Sequence, residues 1–151
     1  MAISLDELVE LLGVAVDDPA VAAVLEKAGK TKVSADFIVA KNAGFDFALE
    51  RPAGAKPKSK KLLSTLFLFS DGADKHRGFT ELPAGFEFTT RAALLAKHGT
   101  PVITWEIGVG KAPATTQNAR WDQWALGAVA ISAHYSEGSV HHFTIARPSE
   151  S

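Results

Sequence analysis

The chain has 151 residues, 46% of them hydrophobic, with a mean hydropathy of +0.06, so it carries enough apolar material for one continuous core. Sixteen basic and seventeen acidic side chains leave a net charge of -1, so no field draws it onto nucleic acid or an anionic membrane, and neither is expected as a partner. Cysteine is absent, which excludes disulfides, thiolate catalysis and cysteine-ligated metals; a metal would need histidine and carboxylate ligands. The opening MAISLDELVELL is acidic where a secretory signal is basic, and no apolar run reaches spanning length, so a cytoplasmic location is expected.

Ser4 and Glu7 form a capping box, and Leu5, Leu8, Val9, Leu11 and Leu12 share one helical side before Gly13. Asp18 caps a second helix, predicted over 19–28, with Pro19 at its first position, an apolar stripe of Val21, Val24, Leu25 and Ala28, and Gly29 at its end. Three segments of period two follow, at 36–41, 45–50 and 61–70, and read as strands. A three-residue loop of Asn42, Ala43 and Gly44 would pair Lys41 with Phe45. That register puts Phe37 and Val39 on the core face with Phe45, Phe47 and Leu49, and Ile38, Ala40, Asp46, Ala48 and Glu50 on the other. RPAGAKPKS, 51–59, reads as a solvated loop. DGADKHRG, 71–78, reads as a polar link: its spaced acids suggest a calcium loop, but Lys75 and His76 occupy ligand positions and no closing Glu follows.

In the second half Thr89 or Thr90 caps a helix with Ala92, Leu94, Leu95 and His98 on its apolar side, closed by Gly99 and Pro101. Its AALLAKHG repeats AAVLEKAG of 22–29 at five of eight positions. Residues 102–119 hold a strand through Val109 at most, then a loop; GVGK, 108–111, fails as a phosphate loop because Trp105 and Ala112 stand where Gly and Ser or Thr are needed. Gly127-Ala128 as a two-residue loop pairs Leu126 with Val129, and a turn at 136–138 pairs Tyr135 with Ser139. One face then holds Trp124, Leu126, Val129, Ile131, Ala133, Tyr135, Phe143 and Ile145, with His141 at its start. Each half thus reads as a helix followed by antiparallel hairpins. The expectation is an α+β fold in a single domain, residues 1–151, made of two tandem repeats at about 1–72 and 80–147. Together these would form one six- to eight-stranded antiparallel sheet with helices on one face.

LPAGFEF, TTRAALLAKHGTP, WDQW and AISAHYSEGSVHHFTIA resemble, in that order, the helix-and-sheet module of the beta-lactamase inhibitory protein and of outer-membrane lipoprotein assembly factors. The chain is more similar still to small bacterial cytosolic proteins with two such modules, of unassigned or immunity-type function. The resemblance implies the fold and an inhibitor or immunity role. It does not imply inhibition of a beta-lactamase, since the chain has neither the export signal nor the cysteines of the secreted inhibitor.

The face opposite the second-half core carries Trp121, Gln123, Ser132, His134, His142 and Thr144, with Trp121 directly across from His134 and the two histidines diagonal. A large aromatic among small polar groups is the make-up of a binding patch, unless the 110–119 loop folds over Trp121. Those six residues are the candidate partner-binding site. The leading reading is a non-catalytic protein-binding module with a protein partner and no cofactor. The alternative is a small-ligand-binding or metal-dependent enzyme using His134, His142 and Asp46 or Glu50 on that face; homodimerisation is a third. Ser132, His134 and Asp122 have the residue types of a triad, but pleat alternation puts Asp122 on the other face.

Overall fold

The computed structural model describes residues 3–52, 54, 56 and 58–147. They form an α+β fold with three α-helices and nine strands, divided into two compact units between Glu81 and Leu82. Of the solvated-loop reading at 51–59, Ala53, Ala55 and Pro57 lie outside the described residues, as do Met1 and Ala2 of the N-terminal stretch; Arg51, Pro52, Gly54, Lys56 and Lys58 are exposed.

In the first unit the predicted caps form. Ser4 Oγ accepts the Glu7 amide at the start of α1, Leu5–Glu10, and Asp18 accepts the Ala20 amide at the start of α2, Pro19–Ala28. The Glu7 carboxylate meets Lys27 of α2 at 3.2 Å. Strands β1 (Lys32–Val33), β2 (Phe37–Ala40), β3 (Phe45–Glu50) and β4 (Leu62–Phe69) pair antiparallel in chain order. Leu8, Val21, Ile38, Phe45, Phe47, Leu63, Leu66 and Leu68 are among its buried core.

The β2–β3 hairpin departs from the expected register by one residue. Ala40, not Lys41, pairs with Phe45, and the loop is Lys41–Gly44, with the Ala40 carbonyl accepting both the Ala43 and Gly44 amides. Because the side-chain period is two, the slip exchanges faces: Ile38 and Ala40 are buried, whereas Phe37 is exposed and Val39 half-buried. The cause lies 36 residues away. The Lys41 carbonyl accepts the Arg77 amide at 2.8 Å, and the Gly44 carbonyl accepts that of Phe69.

The same contacts overturn the reading of 71–78 as a polar link. His76 is buried and stacked on Phe69 at 3.8 Å, with Nε2 2.7 Å from an Asp46 carboxylate oxygen and Nδ1 3.0 Å from the Asp74 carbonyl. The segment is part of the first unit, which is why the division falls after Glu81.

In the second unit Thr90 caps α3, Arg91–His98. Five strands follow: β5 (Ile103–Glu106), β6 (Gly110–Ala112), β7 (Ala119–Leu126), β8 (Val129–Ser136) and β9 (Ser139–Ala146). All pair antiparallel, β6 on β5, β5 on β7, β7 on β8 and β8 on β9. β1 and β6 were not expected, so the strand count exceeds the six to eight anticipated. α3 lies over the Trp124 face: Trp124 Nε1 donates to the Gly99 carbonyl at 3.2 Å, and Phe86 stacks on His98 and meets both Trp124 and Phe143 edge-on. His98 Nε2 lies 2.6 Å from the Gly85 carbonyl.

Leu126 pairs with Val129 as expected. At the β8–β9 turn Ser136 pairs with Ser139 and Tyr135 with Val140, so Tyr135 does not meet Ser139; Glu137 (φ 54) and Gly138 (φ 86) make a two-residue turn. One extra residue, His141, then shifts the register so that His134 faces His142 directly and Ala133 faces Phe143. The two shifts restore parity, which is why Ile131, Phe143 and Ile145 share the buried face while Val140, not His141, fills the core at the strand start.

The Gly44 contact gives a direct test of the first hairpin. A β-carbon at Gly44 (φ +82) would overlap the Arg77 carbonyl oxygen and sit 2.9 Å from the Phe79 amide nitrogen, both rigid backbone. Gly44→Ala should therefore cost about 2 kcal/mol or more in denaturant unfolding. Gly127→Ala, with φ +62 and open space around it, should cost only about 1 kcal/mol. Equal losses would contradict the packing of 77–79 on the hairpin tip.

Candidate functional site

The face of the second unit opposite α3 is built by alternation along β5, β7, β8 and β9. Pairing places Trp105, Trp121, His134 and His142 in one row across the four strands, and Ile103, Gln123, Ser132 and Thr144 in the next. All six expected site residues therefore occupy one patch. The expected diagonal relation of the histidines is corrected to a direct pair.

The first row is a continuous line of ring contacts, stacked at both ends and tilted by 38° between Trp121 and His134. Trp105 lies 5.6 Å from Trp121 at 6° between planes, Trp121 6.0 Å from His134, and His134 4.4 Å from His142 at 9°. Cross-strand neighbours stand close enough for aromatic side chains to pack along the sheet, and such pairs add stability beyond area burial. Trp121 is half-buried because Trp105 and His134 flank it. Gln123, Thr144 and both histidines are half-buried too, whereas Ser132 is 6% exposed and offers the least surface. Trp105, 39% exposed, is a member of the patch that the sequence reading did not include. Its signal was the Ile103-x-Trp105 alternation matching Trp121-x-Gln123 on the facing strand.

The 110–119 segment does not cover Trp121, because it is drawn to the other face by a buried carboxylate. Asp122, 0% exposed, pairs with the Arg91 guanidinium (Nε to Oδ2 2.7 Å, Nη2 to Oδ1 3.1 Å) and accepts from Thr104 Oγ1 at 2.7 Å and the Tyr135 hydroxyl at 2.6 Å. Arg91 also donates to the carbonyls of Thr116 and Ala114, and Thr116 Oγ1 donates to Glu106 at 2.8 Å, which ties the loop down on the α3 side. Burial first, and then the hydrogen bond to Asp122, raise the Tyr135 hydroxyl pKa far above its usual range. The bond to Asp122 raises that of Arg91. Asp122 thus lies on the opposite face from Ser132 and His134.

The histidine cluster has its own order. His134 Nε2 lies 3.2 Å from Thr144 Oγ1, and the Nδ1 atoms of His141 and His142 are 2.8 Å apart, one donating and one accepting. Desolvation, followed by the positive charge of Arg120, lowers the His134 pKa to about 4; desolvation, followed by His134 itself, lowers that of His142 to about 3. Both rings are neutral at physiological pH. Of the carboxylates considered with them, Asp46 contacts His76 in the first unit, and Glu50 is exposed at the end of β3. Among the described residues no three His, Asp or Glu side chains are placed to hold a metal ion.

No protein-family model, curated protein or solved structure matches this chain.

The depressed imidazoles carry a pH signature. Above about pH 6.5 native and unfolded chains are alike at these sites. As pH falls from about 6.5 toward 4, the unfolded chain takes up protons that native His134 and His142 do not. Stability should fall through that window by up to about 1.4 kcal/mol per pH unit for each ring. Urea unfolding of the native chain and of His142→Gln across the window should show the slope reduced in the variant. An unchanged slope would mean that His142 accepts its proton in the native state.

Proposed function

We propose that this chain is a non-catalytic protein-binding module that meets a protein partner through the sheet face carrying Trp105, Trp121 and His134. The observation that supports it is the placement of exposed apolar side chains. Trp105, 39% exposed, stands beside Trp121 on that face, and Ile107 (62%) and Val109 (69%) are exposed in the turn of the same β5–β6 hairpin. Exposed apolar side chains gathered among polar groups mark an interaction surface, and tryptophans supply contact area at small entropic cost. The free edge is protected against strand pairing, since β6 is three residues long, centred on Lys111 and followed by Pro113. The contact is therefore through side chains of the face.

The resemblance to two-module bacterial proteins directs this reading toward an inhibitor or immunity-type role in the cytoplasm. No helix among the described residues is long and apolar enough to cross a membrane.

Affinity capture from a lysate of the source organism on immobilised protein, with mass spectrometry, tests the reading. Trp105→Ser and Trp121→Ala should each keep a cooperative unfolding transition and weaken capture of the same partner about 10- to 30-fold, as truncation of a central interface aromatic does. Retention of the partner by both variants would overturn the assignment of this face. Recovery of the chain alone, with a dimer in sedimentation, would replace the partner by a second copy.

A further inference from the structure

The ring of His76 in the first unit lies between two acceptors. Nε2 stands 2.7 Å from the Asp46 carboxylate and Nδ1 3.0 Å from the Asp74 carbonyl, while Phe69 covers one face of the ring at 3.8 Å and 2% of the side chain is exposed. A carboxylate and a peptide carbonyl have no proton to give, so both contacts are hydrogen bonds only when each ring nitrogen carries a proton. The Asp74 contact closes a turn that is held against its own preference. Asp74 (φ 48) and Lys75 (φ 64) are successive non-glycine residues in the left-handed region, a conformation that persists only where neighbouring contacts impose it. From that turn the chain runs to Arg77, whose amide donates to the Lys41 carbonyl at 2.8 Å, and to Phe79, whose backbone packs on Gly44. Arg77, Gly78 and Phe79 also wall a cavity of about 420 Å³ with Asn42 and Ala43 of the hairpin tip.

We propose that His76 is a proton-operated latch, which holds residues 71–79 on the tip of the β2–β3 hairpin while its ring carries both protons and loosens them when one leaves. Nε2 faces a negative charge, so the proton that leaves is the one on Nδ1. The Nδ1 lone pair then points at the Asp74 carbonyl, and the turn loses the bond that closes it. At the same time the ion pair with Asp46 becomes a hydrogen bond from a neutral ring. The segment is therefore seated on the acid side of the ring's titration and loosened on the alkaline side. Asp46 of β3 is the charged group bonded to the ring, and β4 presents Phe69, which carries no charge. Lys41 of the hairpin loop, and Asp71, Asp74, Lys75 and Arg77 of the segment itself, are exposed, where water and salt screen them. The latch belongs to the first unit and stands whether or not the face of the second unit binds a protein.

The test is an NMR titration of the native protein from about pH 5 to about pH 8, the range in which an imidazole exchanges its charge. The His76 ring nitrogens should titrate, and the Cα and Cβ shifts of Asp74 and Lys75, which report backbone conformation, should leave their left-handed values with the same midpoint. Asp46→Asn supplies the comparison that a plain structural contact would not pass. A side-chain amide can donate to Nε2, so a neutral ring with its proton on Nδ1 keeps both bonds, and the carbon shifts should hold their left-handed values across the range. A native ring that keeps both protons to the alkaline end overturns the latch. So do carbon shifts that stay left-handed while the native ring titrates, or an equal departure in Asp46→Asn.

Discussion

A single buried carboxylate determines which way the second unit presents itself. Desolvating an unpaired carboxylate costs several kcal/mol, so Asp122 can be buried only where donors converge on it. They come from the start of α3, from β5 and from β8, three segments that meet at one level of β7. The face of β7 that carries Asp122 must therefore lie under α3. By the two-residue period of the strand, Trp121 and Gln123 must then face away. The guanidinium that neutralises Asp122 also gathers the loop after β6, so the loop that could have shielded Trp121 is held on the other side.

What this leaves on the open face is a row of four rings whose outer member, Trp105, borders an exposed apolar hairpin. Packing between the rings holds the histidines half out of water, and loss of hydration is the first cause of their depressed basicity. Stacking and protonation state are thus one effect. A neutral, close-packed His134–His142 pair is compatible with the interaction face proposed above.

Much of this was legible in sequence. The helix caps at Ser4, Asp18 and Thr90 and the two-residue turn at Gly127-Ala128 depend on residues within a few positions, and they formed as read. So did the common face of the six site residues, because parity survives where register does not: two one-residue shifts at the β8–β9 turn cancel. What was not legible depends on distant partners. The loop at Gly44 is four residues long because Arg77 takes the Lys41 carbonyl, and His76 is buried because Asp46, thirty residues earlier, receives it. β6 was hidden by the glycines at 108 and 110, which punctuate a hairpin as readily as a loop. Trp105 belonged to the site only once β5 was known to pair with β7.

The central claim is that the Arg91–Asp122 pair sets the orientation of this face, and a double-mutant cycle with Arg91→Met and Asp122→Asn in chemical denaturation tests it most directly. Strong coupling is predicted, about 2 kcal/mol or more, because each single change strands a buried polar group that the double change relieves. Additivity within about 0.5 kcal/mol would show that the pair is incidental and that the face is held by something else.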